Sequence, residues 1–331
     1  MNHIERFRAV MEFKPVDRLP RWEWATWWDQ TIKRWWGEGL PNELTDTFDI
    51  EVYFGLDPIK QFWISPRGKG LPNPEVHGAG IVASTEEYER VLPHLFPNHD
   101  ELYLSMQPWG ERQARGEAVI WATYDGFFWF PRTLFGIEPH MYAFYDHPEL
   151  MHRMCQGQTD FILRSLEQMA PYCVPTFITM AEDMSYNHGP MLSKELFDEF
   201  IAPYYRQIVP VLEQMNIIPI IDSDGDITRM VPWFAEVGVH GFLPLERQAG
   251  VDGMQLRQMD PRLLIIGHFD KMTMPLGREA MRAEFERLLP LMRTGGYIPG
   301  VDHQTPPGVS LEQYRIYLEL LNEYTVLGAQ A

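Results

Sequence analysis

The sequence predicts an α/β protein folded as a single (β/α)8 (TIM) barrel. Two observations lead there. Eight short β-branched or aromatic runs alternate with helical periodicity along 331 residues, a normal length for one such barrel. Several of the runs are almost wholly apolar, as in Ile217-Ile218-Pro219-Ile220-Ile221, which suits parallel strands covered on both faces. Eight strand–helix units with short connections favour closure into a barrel over an open doubly wound sheet. No internal repeat, low-complexity tract or linker-like shift in composition divides residues 1–331, so one domain is expected.

Taken in order, the expected strands are residues 19–25, 50–55, 118–124, 176–181, 217–221, 239–243, 263–267 and 297–301. Helices separate them. Pro148 opens a helical pattern that Pro171 stops. Ser193 is a good N-cap for a helix whose apolar register runs Phe197, Phe200, Tyr204, Ile208, Val211, Met215. Ser310 and Gln313 stand at capping-box spacing ahead of Leu311, Tyr314, Leu318 and Leu321. Residues 60–115, rich in Pro and Gly, read as an insertion within the domain that caps the barrel mouth.

Composition narrows the function. Apolar residues make up 45% of the chain, enough for a large core, and no long uncharged apolar run suggests a membrane span. A net charge of −18 argues against nucleic acid and anionic lipid, which require clustered Lys and Arg. The two cysteines, Cys155 and Cys173, form neither a disulfide framework nor a close-spaced metal knuckle. The N-terminal stretch Ile4, Phe7, Val10, Met11, Phe13 is amphipathic, without the apolar core of a secretory signal, and a reducing cytoplasm is expected. A homodimer is left open.

In such barrels the working side chains come from the carboxyl ends of the strands. The first expected strand ends in Trp22, Glu23 and Trp24, the third in Tyr124 and Asp125, and the fourth in Glu182 and Asp183 with His188 close behind. The fifth ends in Asp222-Ser223-Asp224-Gly225-Asp226, and the sixth near Glu246. The seventh ends in His268, Asp270 and Lys271, and the eighth in Asp302, His303 and Gln304. Taken singly, each has an ordinary explanation: Asp226 ahead of Ile227 is a natural helix cap, His188 a turn residue, the tryptophans packing. Their convergence is harder to explain that way. Carboxylates crowded at one mouth repel unless a proton, a lysine, a metal ion or a cationic ligand joins them, and Lys271 alone cannot balance them.

These residues resemble a known pattern. The stretch Glu182-Asp183-Met184-Ser185-Tyr186-Asn187-His188-Gly189-Pro190-Met191-Leu192-Ser193 is similar to a segment of the uroporphyrinogen decarboxylase superfamily. So are the Asp222–Asp226 run, Gly267-His268-Phe269-Asp270-Lys271, and Gly295-Gly296-Tyr297-Ile298-Pro299 leading to Asp302-His303-Gln304-Thr305-Pro306-Pro307. Asp17-Arg18-Leu19-Pro20 looks like the family's approach to its first strand. The resemblance implies one of two activities: cofactor-free decarboxylation of uroporphyrinogen, or methyl transfer involving a corrinoid, usually with zinc.

True decarboxylases carry an arginine-containing motif after the first strand to hold an anionic tetrapyrrole. The matching stretch here, Trp22-Glu23-Trp24-Ala25-Thr26-Trp27-Trp28, has no arginine. Thiol-activating methyltransferases bind zinc through His-x-Cys after the fifth strand and Cys after the eighth; Asp222 and Asp224 stand at the first two positions, and Val301 or Asp302 near the third. A thiolate zinc site is thereby excluded, leaving a harder one built from Asp222, Asp224, Glu246 and His268 or His303.

The resulting expectation is a corrinoid-dependent methyltransferase that demethylates a methoxy or methylamine compound, with the corrinoid on a partner protein. Its small-molecule substrate is neutral or cationic. Asp222 and Asp224 would serve as metal ligands or acids, Glu182 and His303 would position substrate, and Lys271 completes the catalytic set. Trp22, Trp24, Tyr124, His188 and Asp302 would contact substrate. The alternatives are a decarboxylase of a different carboxylate, with an Asp as proton donor and Lys271 or Arg132 binding the acid, and a non-catalytic ligand-binding barrel.

Overall fold

The computed structural model describes residues 1–329. Seven strands form one parallel sheet: β1 (Ile59–Trp63), β2 (Val119–Asp125), β3 (Phe177–Ala181), β6 (Ile218–Asp222), β7 (Gly241–Leu243), β8 (Leu264–Phe269) and β9 (Tyr297–Val301), hydrogen-bonded in that order. Between β3 and β6 a two-stranded ribbon, β4 (Ser185–Tyr186) with β5 (Gly189–Pro190), projects from the sheet. The register pairs Asp125 with Ala181, Ala181 with Asp222, and Asp222 with Leu243, so these carboxyl ends finish level. Every pairing in this sheet is parallel. Glu182, Asp222, Glu246, Asp270 and Asp302, each at or just after a strand's carboxyl end, therefore share one end of the fold.

Two expected strands differ from what forms. Residues 50–55 belong largely to a helix, Thr47–Tyr53, because the Asp46 side chain accepts the Phe48 N–H at 2.9 Å and caps it. The strand at this point of the sheet is β1, nine residues later, which pairs Ile59 with Val119 and Trp63 with Thr123. Residues 19–25 make no strand ladder. They lie between the sheet's two edges: Asp57 N donates to Arg21 O at 2.9 Å beside β1, and Trp24 Nε1 donates to Val301 O at 2.6 Å on β9. Trp27 adds a single parallel bridge to Thr305. Residues 60–115 supply the rest of β1 and, as the helix Asp100–Ala114, the crossover to β2. In the stretch between them, Ile81 and Val82 donate to Leu134 O beyond β2.

The inner face is filled in layers. At the amino-terminal side Phe7, Trp22, Phe177 and Trp121 stack, with centroids 5.2 Å (Phe7–Trp22), 5.9 Å (Trp22–Phe177) and 5.4 Å (Trp121–Phe177) apart. Each ring so buried contributes about 1.5–3 kcal/mol. A polar belt lies nearer the carboxyl ends, where Gln61 Nε2 donates to Thr123 Oγ1 at 2.8 Å and Trp121 Nε1 to Thr179 Oγ1 at 2.8 Å. Among the described residues no helix is long and apolar enough to cross a membrane.

Candidate functional site

Above that belt a cavity of about 400 Å³ opens at the strand carboxyl ends. Trp24, Trp63, Trp121 and Trp129 wall it, and Asp183, Asp222, Asp224 and His303 face it with Thr26, Gln61 and Gln304. No Lys or Arg among the described residues lines it. Two backbone bonds to Asp222 O, from Glu182 N at 2.8 Å and Asp183 N at 3.3 Å, tie the end of β3 to the end of β6. Asp183 has φ of +39°, a left-handed geometry unusual for a non-glycine residue. Gly225, at φ +80°, makes the turn after Asp224; a Cβ there would meet the Tyr186 backbone at 2.7 Å. The same turn offers Gly225 N to Glu246 Oε2 at 3.0 Å.

Three carboxyls in a partly desolvated pocket disfavour one another's charge. Burial first, then Asp183 and Asp224, push Asp222 well above the usual carboxylate range. Burial and the neighbouring Asp183 and Glu246 raise Asp224 to about 7. Burial likewise raises Asp183 and, aided by Lys271, lowers His303. His303 Nε2 stands 3.7 Å from Asp224 Oδ2. Both shifts favour the neutral forms, which weakens any charge–charge attraction in this contact. His303 also meets Trp24 edge-on, centroids 6.4 Å apart.

The family model for uroporphyrinogen decarboxylase (URO-D) matches residues 133–324, which span β3 to β9 and include Asp183, Asp222, Asp224 and His303 of the cavity. The chain belongs to the uroporphyrinogen decarboxylase family. A solved methyltransferase from Methanosarcina mazei superposes with a TM-score of 0.67 at 14% identity, covering 98% of this chain and 99% of that one; this likeness concerns the fold. A mannanase from Bacillus subtilis follows at a TM-score of 0.48 and 10% identity, over 95% of this chain and 88% of that one. No curated protein sequence matches the chain.

Within this URO-D-family fold the expected site residues separate into two groups. Asp222, Asp224, His303 and Trp24 meet in the cavity wall. Asp302, fully buried just behind it, accepts Arg247 N at 3.0 Å and Lys271 Nζ at 3.2 Å, while Lys271 also donates to Gln248 Oε1 at 2.9 Å.

The others face elsewhere. Glu182 turns into the core, where it accepts Phe127 N at 3.0 Å, Phe128 N at 2.7 Å and the Tyr205 hydroxyl at 2.5 Å. Burial holds its pKa up at about 7 against those hydrogen bonds. Trp22 belongs to the stacked layer below. Tyr124 points out of the sheet to Ser165 Oγ, 2.8 Å away. His188 sits exposed at the ribbon turn against Tyr186.

His268, within β8, turns its ring away from the cavity, its Nδ1 2.9 Å from Leu245 O and its Nε2 accepting Gly253 N at 3.0 Å. It therefore cannot join Asp222, Asp224 and Glu246 around an ion. Among the described residues no three His, Cys, Asp or Glu side chains are grouped so as to hold a metal.

Gln61, Trp63, Trp121, Trp129 and Asp183 line the cavity beyond those foreseen. Two of them follow from β1, whose position the turn at Asp57-Pro58 marks in the sequence.

Proposed function

We propose that this chain is a methyltransferase of the corrinoid-dependent type, demethylating a neutral or cationic methoxy or methylamine compound. One observation carries the reading: Asp224, with a pKa near neutrality, faces a tryptophan-walled cavity whose lining holds acids and no fixed positive charge. A carboxyl titrating near 7 is suited to donate a proton as a bond breaks. In the proposed step the methyl–heteroatom bond breaks, the heteroatom keeps the electron pair and takes the Asp224 proton, and the methyl group passes to an external nucleophile. Asp222, held neutral, donates a hydrogen bond to the substrate heteroatom, and the tryptophans exclude water from it.

A reduced corrinoid on a partner protein would supply the nucleophile. A corrin ring is too large for the cavity, so the acceptor belongs at the rim, where Trp28, Trp63, Tyr186 and Met272 are exposed. The fold supports this reading in that the carboxyl ends of its seven parallel strands, with residues 19–28 between the sheet's two edges, share one mouth as a working face. His268 points away from Asp222 and Asp224, and among the described residues no three candidate ligands, His303 included, are grouped so as to hold a metal, so the proposed step uses none. A decarboxylase would need a free cation for its acid. Lys271 is engaged by Asp302, and Arg132 lies over the Trp129 ring and donates to Asp183 O at 3.1 Å.

The test is methyl transfer to cob(I)alamin from a panel of methoxyaromatics and methylamines. Transfer by the wild type that falls at least about tenfold in Asp224→Asn supports the reading. Decarboxylation without methyl transfer, or an Asp224→Asn enzyme of full activity, overturns it.

A further inference from the structure

A second cavity, of about 230 Å³, lies in the wall of the fold between residues 19–28, the helix Thr47–Tyr53 and β1. It shares Trp24, Thr26, Gln61 and Trp121 with the mouth cavity but has its own chemistry. Three carboxyl side chains line it, Glu23, Asp46 and Glu51, together with Phe48 and the shared Trp24 and Trp121. Glu23 is accounted for: its Oε2 accepts the Tyr314 hydroxyl at 2.9 Å.

Glu51 is different. The residue is 4% exposed, it borders the cavity, and its Oε2 is buried with no hydrogen-bond partner. An unpaired buried carboxyl oxygen carries a full desolvation cost that a bound donor would remove. Lys60, the basic residue in the wall, has its Nζ 5.3 Å from the Trp109 ring centroid, where it is engaged with another aromatic face.

We propose that this second cavity is a binding subsite for the ammonium group of a small organic cation, held by Glu51 and Glu23 against the faces of Trp24 and Trp121. Carboxyls combined with aromatic walls are the recognition chemistry of alkylammonium groups, in which the ring quadrupole attracts charge that the acids neutralise. A metal ion fits poorly, since among the described residues no three carboxyl or imidazole side chains are grouped closely enough to hold one. The groups facing Glu51 are Glu23, Lys60 and Asp46. Burial above all, with Glu23 adding to it, pushes Glu51 up to about 9, and burial alone raises Glu23 to about 8. Empty, the pair is held toward its protonated forms, and a bound cation would supply the counter-charge that favours ionisation. The inference stands apart from methyl transfer, since it rests on a different cavity.

The experiment titrates the full chain at pH 8 with methylammonium and with tetramethylammonium chloride, reading tryptophan fluorescence, with sodium chloride and tert-butanol as controls for ionic strength and shape. Saturable quenching is expected for at least one ammonium probe and for neither control. Glu51→Gln is expected to weaken it at least about tenfold, the effect of removing one charge-assisted hydrogen bond. Glu23→Gln, which keeps an oxygen for Tyr314, is a second variant with the same expectation. Absence of saturation with both ammonium ions overturns the proposal, as does equal affinity in a folded Glu51→Gln or Glu23→Gln protein. Loss in Asp222→Asn with Glu51→Gln unaffected also overturns it, because the cation would then sit in the mouth.

Discussion

The Tyr205 hydroxyl donates to Glu182 Oε1 across 2.5 Å, while the other carboxylate oxygen takes the Phe128 N–H. Glu182 thus acts as a buried clamp on the turn that opens the helix Trp129–Phe135, and a Cβ on Gly126 would meet its carboxyl carbon at 2.1 Å. Glu182→Ala would leave two buried N–H groups and one hydroxyl without acceptors. We expect a loss of about 3 kcal/mol or more in urea unfolding, each orphaned group costing about 1–3 kcal/mol. A melting curve identical to wild type, with methyl transfer abolished, would instead return Glu182 to a direct role in the reaction.

Asp222 and Asp224 should behave in the opposite way. Their carboxyls are held toward neutrality by burial and by neighbouring carboxyls, Asp183 above all, so an amide in their place relieves repulsion. Asp222→Asn and Asp224→Asn are each expected to melt at or above the wild-type temperature while losing at least about tenfold in turnover. Unchanged turnover in both would make them ordinary loop acids.

The pH dependence of stability follows from the same burial. Glu182 and Asp224 are raised to about 7, Glu23 to about 8 and Glu51 to about 9. A carboxyl with a raised folded pKa binds its proton more tightly in the fold. Its stabilising contribution is complete below the unfolded value near 4 and is lost as pH climbs through the folded value. Asp17, lowered by its hydrogen bond to Arg6, acts only at the acid end, where its contribution disappears as pH falls. We therefore expect Tm to decline from pH 5 to pH 9. Glu51→Gln should match wild type near pH 5 and exceed it at pH 9 by at least about 3 °C. A wild-type Tm that rises across this range would contradict the burial of these acids.

Lys271 is the cation beside Asp302, which has no exposure to solvent. Lys271→Met leaves that carboxylate with backbone donors alone, and we expect about 3 kcal/mol of destabilisation by denaturant titration. Adding Asp302→Asn should recover at least half of it. Failure of the double variant to recover would show that Lys271 contributes by packing rather than by charge.

Parallel, doubly covered strands were readable where short runs stay almost wholly apolar, as in β3 and β6, because burial on both faces leaves no alternation to confuse with a helix. β1 escaped because Lys60 and Gln61 interrupt its apolar character: Gln61 points inward to serve the polar belt and Lys60 lines the side cavity. Residues 50–55 misled because the β-branched and aromatic side chains of Ile50, Val52, Tyr53 and Phe54 suit a strand, while the deciding Asp46 cap lies outside the run. The acids of the mouth were legible as a cluster since strand ends must converge. Which of them turn inward was not, because Glu182 is claimed by Tyr205, 23 residues along the chain, a contact no local pattern encodes.

Residues 19–28 meet the β1 side through Arg21 and Asp57, with Asp57 N donating to Arg21 O and Arg21 N donating to Asp57 Oδ2 at 3.1 Å. A wall stitched at one point opens more cheaply than one laced by a full ladder, since fewer bonds must part together. Amide exchange should be fastest along this seam, which borders the smaller chamber. A protein seated on the rim would accordingly not seal the interior, and small solutes could exchange through the flank while the top is covered.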